Sequence, residues 1–476
     1  MKVNFHLLKK LSMRKFSGTF LRTRNEENRC FFLPLKLIES KAVFSLLIIV
    51  VVGLGACSGY KPVRINAMQA PEIYQGGRFD PFPSASAENL PDSIFYATDR
   101  QPSKDLSTPP FYLNERGYVL RLGSATTTVV GEDFGWDELR KVLLLKDRGR
   151  DYPIQLDTVN EIGILDRSYE KIMQYWLPDE ASTEPRQTYA RKINERLAQS
   201  SSKDIFIYVH GYKVHFDNPV LVASELRYFL GYQGAFIAYA WPSTPSRWAY
   251  FADLETTNYT TRHLRQFIQF LAEDTVAERI HIIGYSAGTR VVINALWDLA
   301  LMHHDDSDQH LAARYRIGQV LLIGSDYDRD LFLAAILDRL LDIPDRMTVY
   351  RSSTDSALGF ARFMLQRKRL GEITEGEGLS EEEINLLKPN QELHFINVTD
   401  AEKADTGNGH NYFRQSPWVS SDVLSTLRYQ MSPEERGLVR DPGSAIWLFP
   451  PDYPVKLYRA IENKLSNSLR NRTPKP

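Results

Sequence analysis

Residues 279–288 read Arg-Ile-His-Ile-Ile-Gly-Tyr-Ser-Ala-Gly, and this stretch decides the fold of the chain. The apolar run Ile280–Ile283 predicts a buried strand. It leads directly into a tight turn with Ser286 at its centre, and residues 289–302 have the apolar spacing of a helix. A strand, a sharp turn carrying serine and a helix make up the layout of a nucleophile elbow. We therefore expect Ser286 to be a nucleophile at a helix N-terminus, where the helix dipole favours developing negative charge.

The sequence around this elbow predicts an α/β fold. Short apolar runs without alternation recur at 205–209, 235–240, 320–323 and 347–350, and helical patterns lie between them. Such runs are typical of parallel strands covered on both faces, and their alternation with helices indicates βαβ units. We therefore predict the α/β-hydrolase fold class, with a mostly parallel central sheet flanked by helices.

The chain is expected to have five parts. These are a signal peptide (1–56), a tether after a lipidated cysteine (57–90), an N-terminal extension with edge strands (91–202), the α/β core (203–430) and a C-terminal helical extension (431–476). In the N-terminal extension, Ser93–Ala97 reads as one strand, and Arg116–Val130 reads as one or two more. Glu170–Trp176 looks helical.

The N-terminus resembles a bacterial lipoprotein signal. The apolar run 42–56 has the length of a signal-peptide core and ends in Leu54-Gly55-Ala56-Cys57, which is similar to a lipobox. The resemblance implies that the Cys57 thiol is acylated and anchors the chain in a membrane. Because Ser58 rather than aspartate follows, we expect a location in the bacterial cell envelope, at the outer membrane facing the periplasm. An uncleaved signal anchor is the alternative.

Composition excludes several classes of protein. A net charge of −1 over 476 residues provides no basic surplus for nucleic acid. The two cysteines, Cys30 and Cys57, are too few for a disulfide framework or a cysteine-based zinc site. The polar cluster at 303–310 reads as a solvated loop rather than a metal site. We expect neither a metal nor a cofactor.

A serine nucleophile requires a base and an acid, which in this fold follow it in the order acid, then histidine. His394 lies within a predicted strand, whereas His410 lies in a glycine-containing loop after that strand and is the expected base. Asp355 and Asp326 both follow predicted strand ends. We prefer Asp355 because it follows the later strand, but the residues alone leave Asp326 open.

The oxyanion of the reaction requires two backbone N–H donors. One is expected from Ala287, directly after the nucleophile, and the other from Tyr212, in the loop after the strand at 205–209. Gly211 would allow that loop to turn sharply, and His210 would brace it rather than act as base. The segment Trp241–Tyr250 reads either as a wall or lid of the pocket or as a packed loop.

These segments together resemble a family of bacterial α/β hydrolases long catalogued as a domain of unknown function. The resemblance extends from about Ile94 to Phe413. It rests on the ordered runs Tyr96–Arg100, Arg121–Gly123, Val209–Tyr212, Ala240–Ser243, Gly284–Arg290, Val320–Asp330, Ser352–Leu358 and Gly409–Phe413. It implies Ser286, Asp355 and His410 as a catalytic triad. The family often has histidine and methionine where this chain has Tyr285 and Ala287, a difference that bears on the acyl pocket.

The expected function is hydrolysis of an ester or related acyl bond through an acyl-enzyme on Ser286. The substrate would be a small-molecule or lipid-like acyl compound. Two alternatives stay open at this point. One is a non-catalytic envelope module that has kept the scaffold, and the other is an acyltransferase that uses the same three residues.

Overall fold

The computed structural model describes residues 62–77, 79–82, 93–131, 135–169, 182–373, 392–442 and 444–472. The chain divides into the units Met1–Gly59 and Tyr60–Pro476, and all described residues belong to the second. Cys57, the predicted signal peptide and the helix predicted over 170–176 lie outside them. Among the helices that are described, none combines the length and apolar character that a membrane crossing needs.

Twelve strands in the described residues join one sheet. They are β1 (Arg64–Asn66), β2 (Ser93–Pro102), β3 (Tyr112–Val129), β4 (Pro153–Ile164), β5 (Asp204–Val209), β6 (Ala235–Tyr239), β7 (Arg279–Tyr285), β8 (Ile317–Ile323), β9 (Pro344–Arg351), β10 (Leu393–Asn397), β11 (Val439–Arg440) and β12 (Ile446–Leu448). Their order is β1-β4-β3-β2-β6-β5-β7-β8-β9-β10-β12-β11. The strands from β2 to β12 in this order are all parallel. The prediction of a mostly parallel sheet is confirmed.

Helices cover both faces of this sheet. They are α1 (Trp136–Leu143), α2 (Glu184–Gln199), α3 (Asp217–Phe229), α4 (Tyr250–Asp274), α5 (Gly288–Met302), α6 (Asp308–Tyr315), α7 (Arg329–Leu337), α8 (Ser356–Leu365), α9 (Tyr412–Gln415), α10 (Pro417–Tyr429) and α11 (Tyr453–Arg472). Alternate residues of β5 enter two different cores. Ile205 and Ile207 belong to one hydrophobic cluster, whereas Phe206 and Tyr208 belong to the other. Burial on both faces explains why the strand sequences are apolar without alternation.

The N-terminal region extends the sheet, as the alternating sequence predicted. β2 pairs in parallel with β6, and β3 and β4 follow it as antiparallel strands. The run 116–130, expected as one or two strands, lies in the single long strand β3 except for its last residue.

Part of the segment expected as a tether is instead folded onto the domain. β1 pairs with β4, and the side chains of Ile73, Tyr74 and Phe82 are buried. The Tyr74 hydroxyl donates a hydrogen bond of 2.5 Å to the Phe229 carbonyl. These large apolar side chains bury enough surface to order this part of the chain. At the other end, the C-terminal extension is not purely helical, because β12 adds a strand beside β10.

The strand order reverses beside β5. From β5 the chain passes to β6 on one side and then crosses to β7 on the other. The loops that leave the carboxyl ends of β5 and β7 therefore lead to opposite sides of the sheet and leave a crevice between them. Such a crevice is where α/β sheets bind ligands.

Asp204 connects β5 and β7 at their amino-terminal ends, away from the crevice. Its carboxylate accepts a hydrogen bond of 3.1 Å from Arg279 Nε and lies 3.6 Å from His281 Nε2. Burial acts to raise the pKa of Asp204, but His281 and Arg279 outweigh it and lower the pKa to about 2.

We expect Asp204→Asn to lower the free energy of unfolding at pH 7 by about 1–2 kcal/mol. A carboxyl whose pKa is lower in the folded than in the unfolded chain stabilises the fold at pH values above its unfolded-state pKa. The difference from wild type should shrink as the pH falls from about 4 towards 2. Thermal unfolding of both proteins between pH 7 and pH 2 measures this. Asp305→Asn, at a side chain that is 90% exposed, is the control. A difference that is independent of pH would contradict the electrostatic origin.

Candidate active site

Ser286 lies at the apex of a strained turn between β7 and α5. Its φ is +52°, a left-handed conformation that costs a non-glycine residue about 1–2 kcal/mol. The backbone N–H of Ser286 donates to the Ile323 carbonyl at 2.9 Å, and its carbonyl accepts from the Thr289 N–H at 3.0 Å. A Cβ on Gly288 would come within 2.3 Å of the His210 carbonyl oxygen. The sharp turn and the lack of space explain why glycine stands two residues before and two residues after the serine.

Asp355 and His410 form a hydrogen-bonded pair. His410 Nδ1 lies 2.6 Å from Asp355 Oδ2, and the two side chains are 10% and 0% exposed. The second oxygen, Oδ1, accepts hydrogen bonds from the N–H groups of Ala357 at 3.1 Å and Leu358 at 3.0 Å, so that Asp355 caps α8. One carboxylate thus holds the imidazole and is itself held by a helix N-terminus.

The loop that carries His410 is fastened to the loop after β9. The Asn408 carbonyl accepts from both the N–H and the hydroxyl of Ser356, at 3.1 and 3.0 Å. Gly409 has a φ of +67°, and a Cβ there would come within 2.3 Å of the Thr354 carbonyl oxygen. The close approach requires glycine, and it delivers the next residue, His410, to Asp355.

The imidazole lies beside the serine turn. Its ring centroid is 5.1 Å from that of Tyr285, the residue before the nucleophile. On another side it faces Gly324, where a Cβ would lie 2.9 Å from His410 Cε1. Gly324 directly follows Ile323, whose carbonyl binds the backbone of Ser286. Among the hydrogen bonds of the described residues, none joins Ser286 Oγ to His410. In serine enzymes this bond is often long until substrate binds.

The loop after β5 contacts the serine from the opposite side. A Cβ on Gly211 would lie 2.9 Å from Ser286 Cβ and 3.4 Å from Ser286 Oγ. Tyr212 follows directly. Within the described chain, the backbone N–H groups of Tyr212 and Ala287 donate to no protein acceptor. Both expected oxyanion donors therefore keep their hydrogen-bonding capacity beside the serine.

His210 braces that loop. It is fully buried, its ring nitrogens lie 2.5 Å from the Gly211 carbonyl and 3.0 Å from the Trp241 carbonyl, and its ring is parallel to the Trp241 indole at 5.0 Å. Trp241 Nε1 in turn donates to the His210 carbonyl at 2.6 Å. Burial, together with the Arg100 guanidinium, lowers the pKa of His210 well below its usual value. The His210 ring is buried between two backbone carbonyls and stacked on Trp241, which suits the expected structural role better than that of a base.

Asp326 has other partners. Its carboxylate accepts from the Tyr250 hydroxyl at 2.9 Å and from Arg290 Nε at 3.1 Å. Its backbone carbonyl accepts from Arg369 at 3.2 Å. The structure thus brings Asp355, and not Asp326, to the imidazole of His410.

Tyr250 places the expected wall segment against the site. Its ring makes an edge contact with Tyr212 at 5.4 Å, in addition to its bond to Asp326. Trp241 at the start of the segment is fully buried, whereas Trp248 is 82% exposed. The segment therefore packs beside the oxyanion loop at both ends and projects into solvent between them.

Sequence reasoning missed one residue that organises the site. The Tyr412 hydroxyl accepts from the Gly324 N–H at 2.6 Å and donates to the Tyr350 carbonyl at 3.1 Å. It thereby ties the ends of β8 and β9 together below the imidazole. Its only signal in the sequence was its place two residues after His410. The described part of the chain contains no group of three or more His, Cys, Asp or Glu side chains that could hold a metal.

A parallel sheet with a serine elbow after one central strand, and with acid and histidine after later ones, defines an α/β-hydrolase scaffold. The chain belongs to the family described as alpha/beta hydrolase of unknown function (DUF900), whose model matches residues 186–428, about half of its length. The match includes Ser286, Asp355 and His410. No curated protein and no solved structure matches the chain.

We expect Ser286→Gly to be more stable than Ser286→Ala by about 0.5–1 kcal/mol, because glycine adopts a positive φ without the strain imposed by Cβ. Neither variant has a hydroxyl, so the comparison isolates the backbone. Thermal unfolding of the two proteins measures the difference. Ser325→Gly and Ser325→Ala form the control pair, because Ser325 is a buried serine near the site whose φ is not positive. Equal stability of the Ser286 pair would contradict a strained turn.

Proposed function

We propose that the chain is a serine hydrolase that cleaves an ester or related acyl bond, with Ser286 as nucleophile, His410 as general base and Asp355 as its orienting acid. The observation that carries the proposal is the buried 2.6 Å contact between Asp355 and His410 Nδ1 beside the serine turn. It leaves the opposite nitrogen, Nε2, as the one to exchange a proton with the hydroxyl.

The proposed reaction has two half-reactions. Ser286 Oγ attacks the acyl carbon while His410 Nε2 takes the hydroxyl proton, and the backbone N–H groups of Ala287 and Tyr212 bind the resulting oxyanion. The bond to the leaving alcohol breaks, and His410 returns the proton to that alcohol. Water then gives its proton to His410 and attacks the acyl-enzyme, which releases a carboxylic acid and regenerates Ser286.

Asp355 acts through electrostatics as well as orientation. Its negative charge stabilises the imidazolium formed in each half-reaction. Its Oδ1 bonds to the first turn of α8 hold the carboxylate in place before the substrate arrives. An acid that is already positioned has little reorganisation to undergo when the charge develops.

Ser286→Ala should lower kcat by a factor of about 10⁴–10⁶, because the nucleophile is removed while the scaffold stays. A series of chromogenic esters of increasing acyl length, measured on both proteins, tests this and reports the acyl preference. A fluorophosphonate probe should label the wild type at Ser286 and leave the variant unlabelled. Wild-type protein that neither hydrolyses esters nor reacts with the probe would favour a non-catalytic module. Ester formation with an added alcohol would favour acyl transfer.

Replacing each candidate acid by its amide separates their roles. Asp355→Asn should lower kcat by a factor of about 10⁴, because an amide cannot hold the required tautomer or stabilise the imidazolium. Asparagine caps helices as well as aspartate does, so thermal stability should change little. Asp326→Asn is the matched control, at a buried carboxylate bonded to Tyr250 and Arg290. It should lose stability but far less activity, and the reverse ranking of kcat would overturn the assignment.

A further inference from the structure

The most exposed aromatic side chains of the described residues follow two strands of the sheet, β6 and β9. Of the Phe and Trp side chains in the described residues, those that are strongly exposed are Trp248 (82%), Phe251 (50%), Phe360 (54%) and Phe363 (69%). We call these four residues the aromatic rim. Trp248 and Phe251 follow β6, and Phe360 and Phe363 lie on α8, which follows β9. Because β6 and β9 are parallel to β7, the segments that carry these four residues begin at the edge of the sheet where the serine turn lies.

Hydrogen bonds connect both halves of the aromatic rim to the loop after β8. Tyr250, located between Trp248 and Phe251 in sequence, donates to Asp326. On the other side, the chain that leaves α8 is held by Arg369, which donates to the Asp326 carbonyl and to Asp328 Oδ2, each at 3.2 Å. The two aromatic pairs therefore flank one loop, next to the proposed active site.

The exposure on α8 is not explained by the core. This helix buries Leu358 and Ala361 against the domain. Phe360, Phe363 and Met364 are spaced by three and four residues, so they form a second apolar stripe on the side that faces solvent. A solvent-facing helix side is normally polar. Contiguous apolar surface of this kind marks an interaction site.

Basic side chains accompany the aromatic ones. The Arg247 guanidinium lies 4.9 Å from the centroid of the Trp248 ring, and Arg247 is itself exposed. Arg367, two residues past the end of α8, is also exposed. Protruding Trp and Phe beside Arg is the composition of surfaces that insert shallowly into lipid, where the rings occupy the headgroup level and the cations meet anionic lipids.

We propose that the aromatic rim docks on an anionic phospholipid surface and that the site takes an acyl lipid from that surface. The second part rests on the function proposed above, whereas the docking does not. Because the aromatic rim follows strands whose carboxyl ends share an edge of the sheet with the serine turn, docking would bring the ester of a membrane lipid to the same side of the protein as Ser286. The reaction at Ser286 is the same ester cleavage, with a lipid alcohol as the leaving group.

The docking is tested on the full chain, reconstituted into phosphatidylcholine vesicles with brominated acyl chains, with and without phosphatidylglycerol. Tryptophan fluorescence should be quenched in wild type, and the quenched component should be absent in Trp248→Phe. Phe360→Ser combined with Phe363→Ser should weaken the quenching, and so should omission of phosphatidylglycerol. Leu301→Ser combined with Met302→Ser, at exposed apolar residues that end α5, is the matched control and should leave quenching unchanged.

Equal quenching of wild type and Trp248→Phe would overturn the docking. A second result would also overturn it: sedimentation detects a dimer that is lost when Phe360 and Phe363 are replaced, and Trp248 shows no quenching. The aromatic rim would then bind a second copy of the chain.

The substrate class has a separate readout. The readout is the rate at which the protein hydrolyses a phospholipid ester in vesicles, divided by the rate at which it hydrolyses a soluble short-chain ester. The Phe360→Ser and Phe363→Ser double variant should lower this ratio about tenfold, and the Leu301 and Met302 control should keep it. An unchanged ratio would overturn the lipid substrate. Ser286→Ala should lose both rates and keep the quenching. Quenching in a wild type that hydrolyses neither ester would thus contradict the proposed function alone.

Discussion

The adjacency of β5 and β7 at the reversal of strand order is the constraint on which the site depends. Their carboxyl ends lie side by side, so the loop at Gly211 comes within van der Waals distance of Ser286. The two expected oxyanion donors come from these two loops. A serine at the same kind of turn but away from the reversal would have the connection of a neighbouring strand, rather than an open crevice, beside it.

The site also requires that side chains far apart in the sequence are held in fixed positions. Asp355 uses one oxygen to cap α8 and the other to bind His410. The loop of His410 is hydrogen-bonded to Ser356. Tyr412 joins the ends of β8 and β9. Each positioning contact thus also stabilises a secondary-structure end. Such double use is an economical way to keep a polar site rigid, because a buried polar group without partners would destabilise the fold.

Asp326 shows how the same types of residue can serve the architecture instead. With Tyr250 and Arg290 it links the segment after β6, the first turns of α5 and the loop after β8. Arg369 adds the chain that leaves α8. Asp328, which accepts from Arg369, brings the network to two carboxylates and two guanidinium groups. The network is largely buried, and it holds the segments that carry the aromatic rim in place next to the proposed active site. Position around the crevice, rather than residue type, separates its role from that of Asp355.

The sequence by itself determined the class of fold, the serine turn and the identity of the candidate histidine. Apolar periodicity reports burial, and the Gly-Tyr-Ser-Ala-Gly run between a strand and a helix reports a local geometry, so both are readable along the chain. It did not separate Asp355 from Asp326, and it suggested a tether where Ile73 and Tyr74 are buried. Nor did it indicate that Tyr412 joins two strand ends or that four exposed aromatic residues share one edge of the sheet. These are contacts between segments tens to hundreds of residues apart. They depend on strand order and register, which set distances that no local pattern encodes, and only the tertiary structure decided them.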